Sequence, residues 1–366
     1  MKFGFQFPGL IALAAAIAVA AAPTSADAAG EGAKARPLFE NNDVLRVQIE
    51  APFTTLMRDR ESGEYVDGLF HVTTESGTKE TLELKIRARG NYRRREENCE
   101  FAPLRLDFPR KKVRDTLLDG QDKLKLVTHC DDSRRSYEQS VLLEYLAYRI
   151  LNELTDLSFR VRLLHIDYIN TELDNKTRTK YGILIEDEEA LFRRIDMQFA
   201  AIPSTTPEQL DPQQTALVAV FEYLIGNTDF SPLRGARDEF CCHNVILASK
   251  PGSRLIPIPY DFDLSGLVDA PYASPNPKYR IKKVTQRLYL GYCMHNEPLP
   301  VAVSTMMEKR PAIEALIEAQ EGLLEGSRKS ALRFVDKFYE RLSDDAGIEK
   351  YLVRECLQDP EAAARR

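Results

Sequence analysis

The chain has 366 residues, 43% of them hydrophobic, and a formal net charge of −6. That length and apolar content permit a core larger than one small domain needs. The acidic balance excludes the overall basic charge of most nucleic-acid binders, and no stretch beyond the N-terminus approaches the ~20 apolar residues of a spanning helix.

The first 28 residues read as a cleaved secretory signal. Lys2 gives a thin positive start, Leu10 to Ala22 is an unbroken apolar run of 13 residues, and Ala26-Asp27-Ala28 has the small-x-small pattern of a cleavage site. The run is too short to cross a bilayer, and Pro23 ends it. An uncleaved anchor is the alternative reading. The expected product is exported, periplasmic or secreted, with no transmembrane helix. Residues 29–38 form a small-residue linker.

From Asp43 to about Cys130 the pattern is mainly strand-like. Val44 to Ile49 alternates in part, and Thr81 to Arg89 alternates more cleanly, with Leu82, Leu84 and Ile86 on one face. Leu104 to Phe108 and Leu124 to Val127 repeat the theme. A helix is predicted over Tyr137 to Leu154, where Leu142, Tyr145, Leu146 and Ile150 make one buried stripe. Strands follow at Phe159 to Ile169 and Tyr181 to Glu186, then a short charged helix. The chain turns helical again from Pro207 through Ile225. An irregular loop leads to a hairpin, Asn244 to Ala248 and Leu255 to Tyr260, and the last hundred residues read as mostly helical, with amphipathic runs at Ala315 to Leu324 and Ala331 to Leu342.

Six cysteines occur, at 99, 130, 241, 242, 293 and 356. In an oxidising compartment an even count favours disulfides. Cys99 and Cys130 flank one β-rich segment and are the favoured pair. Cys241, Cys242 and His243, with His129-Cys130 elsewhere, also admit a zinc reading, although no paired C-x-x-C spacing supports it. The charge is uneven. Lys85 to Asp115 holds eleven Lys/Arg against five Asp/Glu, which suits either a solvated face or an anionic ligand.

The rear half carries Gly226-Asn227-Thr228-Asp229, then His243-Asn244, then Pro259-Tyr260-Asp261-Phe262-Asp263. Asp229, Asn244 and Asp261 thus sit at helix and strand ends around the hairpin. Phosphoryl transfer asks for such a set: one carboxylate orients and deprotonates the attacking hydroxyl, while an Asn and a second carboxylate hold Mg²⁺. Singly, each residue also reads as a turn former or cap. No G-x-S-x-G nucleophile elbow is present, and Glu186 to Glu189 lacks the ligand alternation of a calcium loop.

Arg89-Gly90-Asn91, Leu124-Lys125-Leu126, the helix Tyr137 to Leu154, Phe159 to Arg162, Gly182 to Glu186, Asn244 and Ile258 to Asp263 occur in an order that resembles the CotH-like atypical kinases, named for a spore-coat protein. The likeness to HipA-type kinases is looser. It spans about residues 85–266. The resemblance implies an α+β, two-lobed protein-kinase-like fold: a β-rich N-terminal lobe over 39–200 and a mainly helical C-terminal lobe over 201–366. It implies Mg²⁺ and ATP as cofactors, Asp229 as catalytic residue, and Asn244 and Asp261 as metal ligands, with Asp263 an alternative to Asp261. Lys125 would reach the nucleotide phosphates with Glu144 or Glu138 as its helix partner, Lys123 being an equal candidate by alternation. Arg89 and Asn91 would stand at the cofactor. The implied acceptor is a hydroxyl on an envelope or secreted protein. An inactive kinase-like scaffold and a metal-assisted hydrolase are the rival readings. Two departures stand out: Asp229 and Asn244 are 15 residues apart where the ordinary kinase loop has five, so Ser231 to Cys242 must loop out and return, and D-F-D replaces D-F-G.

Overall fold

The computed structural model describes Met1 and residues 37–73, 77, 79–235 and 241–358. The expected signal segment after Met1, and the linker up to residue 36, lie outside the described residues. From residue 37 onward the described chain falls in one compact unit.

Seven strands close into a barrel: β1 (Leu45–Ala51), β2 (Val66–Thr73), β3 (Lys79–Ala88), β4 (Leu104–Asp107), β5 (Lys123–Val127), β6 (Val161–Asn170) and β7 (Lys176–Ile185). A short helix α1 (Phe53–Arg58) follows β1, and α2 (Arg135–Leu154) separates β5 from β6. The order around the barrel is β1-β2-β3-β4-β5-β7-β6. All neighbours are antiparallel except β6 and β1, whose parallel register, Leu45↔Leu164 to Ala51↔Asn170, closes the ring. The inward faces of these strands, with Ile49, Phe70, Ile86, Leu106, Leu126 and Ile166 among them, fill the interior. Leu82, Leu84 and Ile86 share the inner face, as the alternation in the sequence requires. Gly182 in β7 has a steric reason: a Cβ there would stand 2.8 Å from Ile166 Cδ1 and 3.0 Å from the Val127 carbonyl.

The remainder packs helices on a second sheet. α3 (Glu188–Arg194) precedes β8 (Gln198–Phe199), α4 (Pro212–Ile225) follows, and β9 (Val245–Ser249) pairs with β10 (Ile256–Pro259) in a sheet of order β10-β9-β8. Then come α5 (Leu299–Ala319), α6 (Glu325–Arg341) and α7 (Asp345–Ile348). One hydrophobic cluster joins α2, α4, β9, β10, α5 and α6, with Leu142, Leu146, Tyr148, Phe221, Ile258, Phe262, Met306 and Phe338 at its centre. Each large apolar side chain buried there contributes roughly 1.5–3 kcal/mol.

The expected two-lobed kinase-like architecture is corrected. The front half is a closed barrel with its own filled interior, and the rear half is helices on a three-stranded sheet. The cause is the parallel β1–β6 pairing, which covers the edge that an open lobe sheet would leave and which local periodicity cannot announce. The hairpin β9–β10 forms where the sequence indicated, with Val245 opposite Pro259. The helical run expected over Ala315 to Leu324 instead spans the end of α5, a turn, and the residue before α6.

All six cysteines are paired: Cys99–Cys130, as favoured from the sequence, Cys241–Cys242 and Cys293–Cys356. The thiols of the zinc reading are therefore consumed. Among the described residues no helix is long and apolar enough to cross a membrane. Both observations are compatible with an exported protein. Cys99 and Cys130 are 31 residues apart. The Cys99→Ser/Cys130→Ser double variant is expected to lose about 3 kcal/mol in urea unfolding through the freed unfolded chain, and an unchanged midpoint would contradict that role.

Candidate functional site

The site grows from the C-terminal end of α4. Gly226 caps that helix in left-handed backbone, φ 67°, and releases the chain into Asn227-Thr228-Asp229. The Asn227 side-chain oxygen accepts the Asp229 backbone N–H at 2.9 Å, which fixes the turn. The Asp229 carboxylate then accepts two bonds, from His243 Nε2 at 2.9 Å and from Asn244 Nδ2 at 3.1 Å. Asn244 Nδ2 also reaches the Asp229 carbonyl at 2.7 Å. The two described ends of the long interval meet: Ser231 and His243 exchange backbone hydrogen bonds of 2.9 and 3.1 Å. The bond to Asp229 raises the His243 imidazole above its ordinary pKa, against the opposing effect of burial.

β10 delivers the second half. Tyr260 N–H donates to the Asn244 carbonyl at 3.0 Å, which ties the D-F-D segment to the Asp229 turn. The three residues alternate in environment. Asp261 is exposed. Phe262 is fully buried, with its ring 4.6 Å from Tyr148 of α2 and 5.3 Å from Phe221 of α4. Asp263 is buried and accepts from the Tyr272 hydroxyl at 3.0 Å. The Asp261 N–H donates to the Tyr148 hydroxyl at 2.9 Å. Asn244 and Asp261 both hold left-handed backbone, φ 52° and 64°, which Asn and Asp tolerate better than most residues.

Behind Asp261 lies a buried charge cluster. Arg93, on the β3–β4 loop, stands 3.9 Å from Glu144 of α2 and 3.8 Å from Asp263. It also donates to the Thr128 carbonyl and lies over the Tyr272 ring at 5.3 Å. Burial, reinforced by Asp261, pushes the Asp263 carboxyl up to about 7. Burial and the Asp263 charge push Glu144 up as well. Two carboxyls beside one guanidinium in a dry site cannot both ionise cheaply, so a proton is retained between them near neutral pH.

Lys125 of β5 donates to Glu188 of α3 at 2.7 Å and lies 5.3 Å from the centre of the Tyr260 ring. Glu144 pairs with Arg93 instead, and Glu138 accepts the Tyr181 backbone N–H at 3.0 Å. Lys123 is exposed. Arg89 faces the Asp261 charge; desolvation lowers its guanidinium pKa, and Asp261 opposes that shift. Asn91 is exposed, and among the described residues no hydrogen bond joins it to the group. Asp229, Asn244 and Asp261 are thus one connected unit, Arg89 and Lys125 adjoin it through Asp261 and Tyr260, and Glu144 joins it through Arg93.

Sequence reasoning missed Arg93, Tyr148, Tyr272, Glu188 and Glu222. Arg93 was visible only as part of a basic run, and Glu188 as part of an acidic one. Glu222 of α4 is 1% exposed. Burial pushes its carboxyl up to about 8, the nearby Asn227 side chain opposes the shift, and the Asp229 charge adds to it. Among the described residues no group of three or more His, Cys, Asp or Glu side chains is placed to hold a metal ion. The available hard donors are the Asp261 carboxylate, which makes no side-chain hydrogen bond among the described residues, and the Asn244 side-chain oxygen. These two are the hard oxygen donors that a Mg²⁺ ion, which takes most of its shell from water and phosphate oxygens, would draw on here.

A carboxyl with a raised folded-state pKa stabilises the fold below its unfolded pKa and loses that contribution as pH rises through the folded one. For Glu222 the loss falls between about pH 4.5 and about pH 8. Glu222→Gln should therefore match or fall below wild type in melting temperature near pH 5 and exceed it at about pH 9. Parallel pH curves for the two proteins would contradict a buried, protonated Glu222. Compared with known proteins, the chain matches no family model and no curated sequence.

Proposed function

We propose that the Asp229–Asn244–Asp261 unit is a phosphoryl-transfer site that uses a Mg²⁺–nucleotide, ATP in the first instance, and a hydroxyl of an envelope or secreted protein as acceptor. One observation carries the reading: Asp229 is oriented by His243 and Asn244, and Asn244 is joined through Tyr260 to the exposed Asp261. Three residues distant in sequence thus share one rigid unit with different tasks. The likeness of the motif order to CotH-like kinases supports the same assignment of roles.

In this reading Asp229 accepts the proton of the acceptor hydroxyl. The His243 and Asn244 bonds hold its carboxylate in one orientation, which is the positioning that general-base catalysis needs. Asn244 and Asp261 would hold Mg²⁺, which when bound neutralises phosphate charge. Arg89 and Lys125 supply positive charge beside Asp261 and Tyr260, with the Lys125 ammonium 5.3 Å from the centre of the Tyr260 ring.

The second reading is a nucleotide-binding module without turnover. It is favoured by Asp229 already having both carboxylate oxygens bonded and by Lys125 already being paired with Glu188. The two readings separate in one experiment on the purified full chain. With Mg²⁺–ATP at about a hundredfold its Kd, ligand binding should stabilise the fold by about 2.7 kcal/mol. Asp261→Asn should remove that shift. Asp229→Asn should keep it and abolish transfer of labelled phosphate to co-purified envelope proteins. A shift without transfer in wild type selects the binding module; no shift in wild type overturns both.

A further inference from the structure

Beyond the D-F-D segment the chain runs from Ala270 to Asn296, 27 residues, without one Asp or Glu, in a protein of net charge −6. Lys278, Arg280, Lys282 and Lys283 stand within that run, and all four are exposed. Among the described residues none of their side chains enters an ion pair or a hydrogen bond. Exposure alternates along the segment: Tyr279 and Ile281, between the cations, are half-buried. Tyr279 packs against the cluster that holds Phe230, Leu233 and Val245. The segment thus turns its apolar side chains inward and its charges outward.

Its place is fixed beside Asp229. Asn276 Nδ2 donates to the Thr228 carbonyl at 2.8 Å, and the Lys278 N–H donates to the Asn276 side-chain oxygen at 3.1 Å. At the other end, the Arg287 guanidinium donates to the Tyr223 and Leu224 carbonyls, each at 3.0 Å, in the last turn of α4. Both ends of the basic run are therefore tied to the helix and turn that carry Asp229. The charges act across the gap. Burial and then the Asp229 charge raise the Tyr279 phenol, while burial and Lys278 oppose the rise that the Asp229 bond gives His243.

The nucleotide charge has other partners in the reading above: Arg89 adjoins Asp261, and Lys125 lies over Tyr260. The four cations on the Asp229 side face whatever approaches that carboxylate. An acidic protein repels an acidic partner over most of its surface, so one fixed basic edge selects where such a partner lands.

We propose that residues 276–287 form an acceptor-docking edge, and that the acceptor is an acidic polypeptide segment with Asp or Glu close to the hydroxyl. Its carboxylates pair with Lys278, Arg280, Lys282 and Lys283, and a lysine-rich segment is repelled. The word acceptor rests on the phosphoryl-transfer reading; the docking is a binding property that can be measured without it.

The test titrates the full chain, with no nucleotide, into a short fluorescein-labelled peptide that sets Ser among Glu residues, read by anisotropy. Gln and Lys versions of the peptide serve as comparisons. The Glu peptide should bind about tenfold or more tighter than the Gln peptide, and the advantage should fade as salt rises. Lys278→Glu/Lys282→Glu should abolish that preference and favour the Lys peptide. Lys79→Glu/Lys111→Glu, the same charge change at exposed positions on β3 and the β4–β5 loop, should retain it. Both variants should keep whatever stabilisation Mg²⁺–ATP gives the wild type. Peptide discrimination in a wild type that Mg²⁺–ATP does not stabilise would sink the phosphoryl-transfer reading and leave the acidic-segment site standing. Equal binding of the three peptides, equal loss in the two double variants, displacement of the Glu peptide by Mg²⁺–ATP, or tighter binding to phosphatidylglycerol vesicles than to the Glu peptide would overturn the proposal.

Discussion

Arg93 holds a guanidinium that is only 8% exposed among two carboxyls, a carbonyl and an aromatic ring. The four partners come from four places in the chain: Glu144 on α2, Asp263 after β10, Thr128 after β5, and Tyr272 in the loop beyond. Leaving such a charge unpaired in the interior would cost on the order of several kcal/mol. The β3–β4 loop, α2 and the D-F-D segment are therefore constrained together, and Asp261 is presented at the surface because Phe262 and Asp263 on its far side are fixed.

The barrel sets that arrangement up. Closure by β6 against β1 brings the β6–β7 pair beside β5 and leaves α2 packed across the outside. α2 then presents Glu144 and Tyr148 to the same region, four residues apart and hence on one helix face. From the other side, α4 ends on a left-handed glycine and turns Asp229 toward the β9–β10 hairpin. The two halves meet through Tyr148 and Phe221 gripping Phe262. Neither half alone assembles the group, which is why its members lie far apart in sequence.

Local pattern made much of this legible. The alternation of Leu82, Leu84 and Ile86, the stripe Leu142, Tyr145, Leu146 and Ile150, and the hairpin around residues 244–260 all report a periodic environment, and periodicity survives in a single sequence. β2 was not legible, because in Val66–Thr73 only Phe70 and Val72 are buried and Gly68 breaks the alternation. The barrel itself was not legible, since parallel pairing between β1 and β6 is a long-range event with no local signature. Asp229, Asn244 and Asp261 could be singled out because each stands at an element end. Arg93 could not, because a buried arginine inside a run of five charged residues, Arg93 to Glu97, reads as surface until its partners are known. Glu144 was visible as a helix carboxylate but not its partner, which depends on how the β3–β4 loop folds back.

On this arrangement the Arg93 cluster acts as one energetic unit that holds the site in place. A double-mutant cycle between Arg93→Met and Asp263→Asn, read by urea unfolding at neutral pH, tests it most directly. A coupling of about 1 kcal/mol or more between the two changes is expected, whereas effects that add to within about 0.3–0.5 kcal/mol would mean that the cluster is not one unit.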